Sequence, residues 1–111
     1  MSTDITIEEL ESHIENMIEN VEIDIAKVII FGSTARGERT SESDTDLIII
    51  SDEYPESQIY ERVSRFYQEW DSKNYGPVEF LCLTTKEWNK KKKKTHSVYE
   101  KAEEEGIVLN Y

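Results

Sequence analysis

The chain has 111 residues, of which 37% are hydrophobic, 10% aromatic and 33% charged. This length and composition exclude a large multidomain polymerase and differ from those of aromatic-poor disordered segments. The net charge of −11 at pH 7 opposes binding to phosphate backbones and to anionic membrane surfaces. We therefore expect a single domain over residues 1–111, with no membrane partner and no direct contact with nucleic acid.

The acidic residues are concentrated in the first half of the chain. Residues 1–56 hold 15 acidic and 3 basic residues, whereas residues 57–111 hold 9 acidic and 10 basic ones. The one cysteine, Cys82, excludes an intramolecular disulfide, and we expect it to be a buried apolar residue. No signal-peptide pattern and no apolar run near the ~20 residues of a membrane span occur, which favours a cytoplasmic protein.

The first predicted elements are a helix and a strand. Thr6 and Glu9 have the spacing of a capping box, and an apolar stripe with helical spacing follows, which predicts a helix over residues 6–21. Residues 25–31 are short, β-branched and almost continuously apolar, which is typical of a strand buried on both faces. Gly32 ends this strand.

Apolar patterns predict three more strands and three more helices in the rest of the chain. In chain order these are a strand at 44–51, a helix at 57–70, a strand at 78–83, a helix opened by the capping box Thr84-x-x-Glu87, a helix leading to Gly106, and a strand at 107–109. This order predicts an α+β fold with a small mixed sheet backed by helices. We expect His13 on the polar side of the first helix. The lysine run at 90–94 is interpreted as a solvated helix face, or alternatively as a contact for phosphates or an acidic partner.

A glycine and a serine directly follow the first strand. Gly32 permits a tight turn and close approach of a phosphate, while the hydroxyl of Ser33 and the amides after it offer donors to anionic oxygens. Arg36 follows closely enough for its guanidinium to contact a triphosphate or a leaving pyrophosphate, and otherwise is a surface arginine paired with an acid. This segment predicts half of a nucleotide site.

Asp44 and Asp46 supply the other half, because residues i and i+2 of a strand project to the same face. At about 4 Å and an effective dielectric near 20, two carboxylates repel by about 4 kcal/mol, which favours a bound proton, a basic partner or a divalent cation. Mg²⁺ suits such oxygen ligands. Glu79 is a candidate third carboxylate, because an unpaired charge in an otherwise apolar strand would be costly; the alternative is an edge-strand residue facing solvent. If its strand lies beside that of Asp44, Glu79 can complete a metal cluster and accept a proton from an attacking hydroxyl.

A family resemblance rests on these residues. Gly32-Ser33, ten intervening residues, Asp44-x-Asp46 and a later strand carboxylate resemble the minimal nucleotidyltransferases of the DNA polymerase beta superfamily. The resemblance covers the whole chain, and Glu79 stands where aspartate is more usual.

The resemblance implies a polymerase beta-like nucleotidyltransferase fold, a short mixed sheet with helices on one side. It also implies a nucleoside triphosphate donor, expected to be ATP, and two Mg²⁺ ions held by Asp44 and Asp46. By the same resemblance Glu79 binds the catalytic ion and activates an acceptor hydroxyl, while Gly32, Ser33 and Arg36 hold the pyrophosphate.

The acceptor is left open by the residues themselves. Minimal members of this family resemble the antitoxin half of HEPN/MNT toxin–antitoxin pairs, which implies transfer of AMP to a tyrosine of a HEPN-domain partner. The alternatives are nucleotidyl transfer to a small molecule such as an aminoglycoside, and a degenerate nucleotide-binding module in which Glu79 does not complete the metal site.

Overall fold

The structure, a computed structural model, describes residues 6–32, 34–35, 44–54 and 59–111. Nine helices and strands lie within these residues: α1 (Ile7–Val21), β1 (Lys27–Phe31), β2 (Thr45–Ile50), α2 (Ile59–Glu69), α3 (Ser72–Tyr75), β3 (Val78–Leu83), α4 (Thr85–Lys91), α5 (Val98–Glu105) and β4 (Ile107–Asn110). The predicted order is confirmed, apart from the four-residue helix α3, which the apolar pattern did not indicate.

The four strands form one mixed sheet in the order β3-β2-β1-β4. β1 is antiparallel to both β2 and β4, whereas β2 and β3 are parallel. The parallel pair requires a crossover, which α2 and α3 provide. This architecture confirms the expected α+β fold with a small mixed sheet.

Helices cover both faces of the sheet. On one face, α1 and α2 pack against alternate residues of the central strands, including Val28, Ile30 and Leu47. On the other face, Trp88 of α4 and Ala102 of α5 pack against the residues between them. The expectation of helices on one side is therefore wrong, because β1 and β2 are apolar on both faces and both faces must be buried.

Side-chain caps set the starts of α1, α3, α4 and α5. The Thr6 hydroxyl accepts from the Glu9 amide at 3.1 Å, and at α4 both halves of the predicted capping box between Thr84 and Glu87 are formed. Asp71 caps α3 through its carboxylate. Each such cap stabilises its helix by about 1 kcal/mol. None of the helices within the described ranges is both long and apolar enough to cross a membrane.

The segment leading into β3 is held by an aromatic cluster. The imidazole of His13 stacks on Tyr75 with ring centroids 4.3 Å apart, and its Nε2 accepts from the Asp71 amide at 3.0 Å. The indole N–H of Trp70 donates to the Gly76 carbonyl at 2.9 Å. His13, expected on the polar side of the first helix, is half-buried, because it joins α1 to the chain that places β3.

Candidate active site

The pairing of three strands brings together residues that lie far apart in the sequence. Asp46 of β2 is the register partner of Phe31 on β1 and of Glu79 on β3. Neighbouring strands lie about 4.8 Å apart, so the Asp46 and Glu79 side chains leave the same face of the sheet side by side. The candidate role of Glu79 required its strand to lie beside the strand of Asp44. β3 does lie beside β2, which Asp44 immediately precedes.

Gly32 lies directly under Asp46. Its φ is +74°, a left-handed conformation that favours glycine, and a Cβ at this position would overlap Oδ2 of Asp46. The turn predicted after β1 is therefore present, and it brings the backbone close to a site carboxylate. Ser33 and Arg36, the other predicted nucleotide-binding residues, lie outside the described residues.

The predicted carboxylates differ in exposure. Asp46 is half-buried, whereas Asp44, which immediately precedes β2, and Glu79 are both exposed. Burial therefore gives no reason for a cation at Glu79, contrary to the sequence argument. With solvent at the mouth of the site, repulsion between carboxylates about 4 Å apart falls to about 1 kcal/mol.

Hydrogen bonds on both sides of β3 hold the strand that carries Glu79 in place. The Thr45 amide donates to the Pro77 carbonyl at 2.9 Å, which fixes the start of β3 against the start of β2. On the outer edge of β3, the Phe80 amide donates to the Tyr67 hydroxyl at 3.4 Å, and Nη1 of Arg62 donates to the Cys82 carbonyl at 3.4 Å. These contacts hold Glu79 in register and cover a strand edge that would otherwise be open.

Cys82 is buried as predicted, and burial raises the pKa of its thiol to about 11.

A cavity of about 300 Å³ lies over these residues. Gly32, Asp46 and Glu79 line it from the sheet, and α5 forms a further wall with Tyr99, Lys101 and Glu105 among its residues. Asp44 is not among the lining residues. No local pattern in the sequence indicates the α5 wall, because only the packing of α5 against the sheet brings it to the site.

The donors at this site fit magnesium in chemical type, since Mg²⁺ prefers carboxylate oxygens completed by water. Asp46 and Glu79 are adjacent, and Asp44 stands two residues before Asp46. Within the described residues, however, no group of three or more histidine, cysteine, aspartate or glutamate side chains lies close enough to hold a metal ion. The site thus offers a carboxylate pair, with a third carboxylate nearby.

The mixed sheet, the Gly32 turn and the paired strand carboxylates define a protein with the polymerase beta-like nucleotidyltransferase fold. Residues 10–109 match the nucleotidyltransferase domain family, and the chain belongs to that family. This membership supports nucleotidyl transfer as its general activity.

A solved structure agrees with the fold. A crystal structure from Sulfolobus solfataricus, of a protein proposed to be a nucleotidyltransferase, is similar to this chain with a TM-score of 0.56 and 22% sequence identity. The similarity covers 73% of this chain and 68% of that one. No curated protein matches the chain significantly.

Proposed function

We propose that the chain transfers AMP from ATP to a tyrosine hydroxyl of a HEPN-domain toxin, and so acts as the antitoxin of the pair. The observation that supports this best is the register of Asp46 with Glu79 beside the Gly32 turn. Two carboxylates that leave one face of the sheet beside a glycine turn suit the magnesium ions that accompany a triphosphate, and the turn leaves room for the phosphates. The tyrosine and the HEPN partner rest on the family resemblance.

Asp44, Asp46 and Glu79 are the residues that would hold two magnesium ions. When bound, these ions offset the charge of the triphosphate and polarise its α-phosphate. The backbone at Gly32, with Ser33 and Arg36 after it, would hold the β- and γ-phosphates.

Glu79 is the proposed general base. It is exposed and lines the cavity, so an acceptor hydroxyl can reach it from solvent. Its carboxylate takes the acceptor's proton as the acceptor oxygen bonds to the α-phosphorus and pyrophosphate leaves.

A second candidate is a nucleotide-binding module without transfer. It is favoured by the finding that no three carboxylates within the described ranges are grouped closely enough to hold a metal. This candidate predicts magnesium-dependent binding of ATP with no labelled product, even in the presence of the partner.

The test is a labelling reaction with α-phosphate-labelled ATP and Mg²⁺ in a lysate that contains the product of the neighbouring gene. The wild type is compared with the double variant Asp44→Asn, Asp46→Asn. The matched control is Glu19→Gln, Glu104→Gln, which removes two negative charges from exposed helix positions that do not line the cavity.

We expect a labelled protein band with the wild type and the control, and none with the aspartate double variant. The mass of the band identifies the acceptor, and mapping of the modified peptide tests whether a tyrosine is labelled. Label that appears only in a small molecule, such as an aminoglycoside, would instead show that the acceptor is a small molecule and not a protein. Binding of ATP with no labelled product would favour the second candidate.

A further inference from the structure

The α5 wall of the cavity carries a cation that the proposed function does not yet use. Lys101 lines the same cavity as Gly32, Asp46 and Glu79, and it is the one basic residue in the lining that the structure describes. The other charged lining residues, Asp46, Glu79 and Glu105, are acidic. Lys101 is therefore the single cation beside three carboxylates in the described lining.

Lys101 has no structural task in the described part of the chain. It is exposed, and neither an ion pair nor a hydrogen bond joins its side chain to another described residue, although Glu105 stands one helical turn further along α5. Two other lysines nearby are occupied. Lys92 pairs with Glu103 at 3.6 Å, and the ammonium of Lys91 lies 5.2 Å from the centre of the Tyr99 ring.

The position of α5 places Lys101 in the wall of the same cavity as the Gly32 turn. α5 packs against β1, the strand that Gly32 follows, and Tyr99 lines both this cavity and a second one of about 310 Å³ whose lining includes Lys91. Lys91 therefore serves the second cavity, and Lys101 is the lysine that can reach a ligand held at Gly32.

We propose that Lys101 binds the β- and γ-phosphates of the donor nucleotide from the α5 side, opposite the carboxylate pair. This inference rests on the proposed function and adds a specificity for nucleoside triphosphates over monophosphates. In the transfer step, the acceptor oxygen forms a bond to the α-phosphorus while the bond from that phosphorus to the bridging oxygen breaks. Pyrophosphate leaves with the electron pair and with Lys101 bound to its oxygens, and the acceptor's proton goes to Glu79. A cation at the leaving group stabilises the charge that develops there.

The experiment measures equilibrium binding of ATP, ADP and AMP in the presence of Mg²⁺ to the full chain and to three variants. Lys101→Ala removes the proposed contact, and Lys101→Arg keeps its charge. Lys93→Ala is the matched control, because it removes the same charge from an exposed position on the turn after α4, outside the cavity lining. Thermal melts verify that all variants are folded.

We expect Lys101→Ala to weaken ATP binding about tenfold, which is the typical effect of one charge-assisted hydrogen bond, and to leave AMP binding within about twofold of the wild type. Lys101→Arg should retain most of the affinity, and Lys93→Ala all of it. Equal losses in Lys101→Ala and Lys93→Ala, or a loss that is as large for AMP as for ATP, would overturn the role of Lys101 while leaving nucleotide binding by the wild type intact. A wild type that binds no nucleotide at all would overturn the proposed function together with this inference.

Discussion

The side chain of Asp46 lies over Gly32 so closely that any β-carbon on residue 32 would overlap Oδ2 of Asp46. Two residues that are fourteen positions apart in the sequence are thus a single structural unit, because the antiparallel pairing of β1 with β2 sets Asp46 opposite the residue before the glycine. The glycine of the sequence motif therefore has two tasks. It adopts the left-handed turn, and it leaves the space in which a site carboxylate sits.

Substitution of Gly32 tests this relationship directly. Gly32→Ala should lower the free energy of unfolding by about 2 kcal/mol, because an L-residue is strained at this φ. It should also displace Asp46, so the folded variant should lose magnesium-dependent ATP affinity. Chemical denaturation and equilibrium binding measure the two effects separately.

Gly106→Ala is the control for crowding alone. A Cβ at Gly106 would overlap the Ala102 carbonyl oxygen and the side chain of Ile29, with a negative φ and with no carboxylate oxygen among the atoms it would meet first. This variant should lose stability and, at temperatures where it is folded, lose less ATP affinity than Gly32→Ala does. If both glycine variants lose ATP affinity equally, the contact with Asp46 is not the cause.

Glu79 offers a test that separates activity from stability. Because Glu79 is exposed, Glu79→Gln should change the free energy of unfolding by no more than about 0.5 kcal/mol. Loss of the general base should nevertheless reduce nucleotidyl transfer at least about a hundredfold. Glu79→Asp keeps the charge and should retain far more activity than Glu79→Gln. Transfer is followed with α-phosphate-labelled ATP, with Glu104→Gln as the surface control, and an active Glu79→Gln variant would contradict the assignment.

Local patterns in the sequence predicted most of the elements, because apolar spacing and caps are local. Thr6, Thr84 and the apolar run 78–83 gave boundaries that the structure confirms to within a residue. The pairing of Glu79 with Asp46 depends on the order of the strands in the sheet, and the sequence alone did not predict that order. The α5 wall and the contact of His13 with the α3 segment depend on tertiary packing, so no pattern within either segment could indicate them.

The ion pair between Arg62 of α2 and Glu87 of α4 is buried on the arginine side only, which predicts that the two single substitutions differ in their cost to stability. Nη1 of Arg62 lies 2.7 Å from Oε1 of Glu87, with the Arg62 side chain 4% exposed and the Glu87 side chain 37% exposed. Burial opposes ionisation of Glu87, but hydrogen bonds from Thr84 and Arg62 outweigh it and lower its pKa. Glu87→Gln keeps the capping geometry but removes the negative charge 2.7 Å from the buried guanidinium, so it should cost about 2 kcal/mol.

Arg62→Met should cost less than Glu87→Gln. Methionine fills a similar volume without a charge, and the partly exposed Glu87 can regain contact with water. Urea denaturation of both single variants and of the double variant measures the two costs and their coupling. A larger loss in Arg62→Met would show that the packing of Arg62 over the Tyr54 ring, 5.3 Å away, matters more than the charge balance.

The hydrogen bond from Asp71 to His13 predicts a pH dependence of stability. Nε2 of His13 accepts a proton from the Asp71 amide, which requires a neutral imidazole, and burial lowers the pKa of His13 below its usual 6.5 against the opposing effect of the Asp71 carboxylate. The unfolded chain therefore binds this proton more readily than the folded chain does, and stability must fall as the pH drops below about 7. The loss is complete once the pH lies below the folded-state pKa.

Urea midpoints measured between pH 7.5 and 5.5 test this dependence, since carboxylates contribute little in that window. His13→Gln should be less stable at pH 7.5 and should show a flatter profile, because the titrating group is gone. His96→Asn is the control, since His96 is exposed and its positive φ is tolerated by asparagine. This control should keep the wild-type slope, and a slope that persists in His13→Gln would assign the pH dependence to another group.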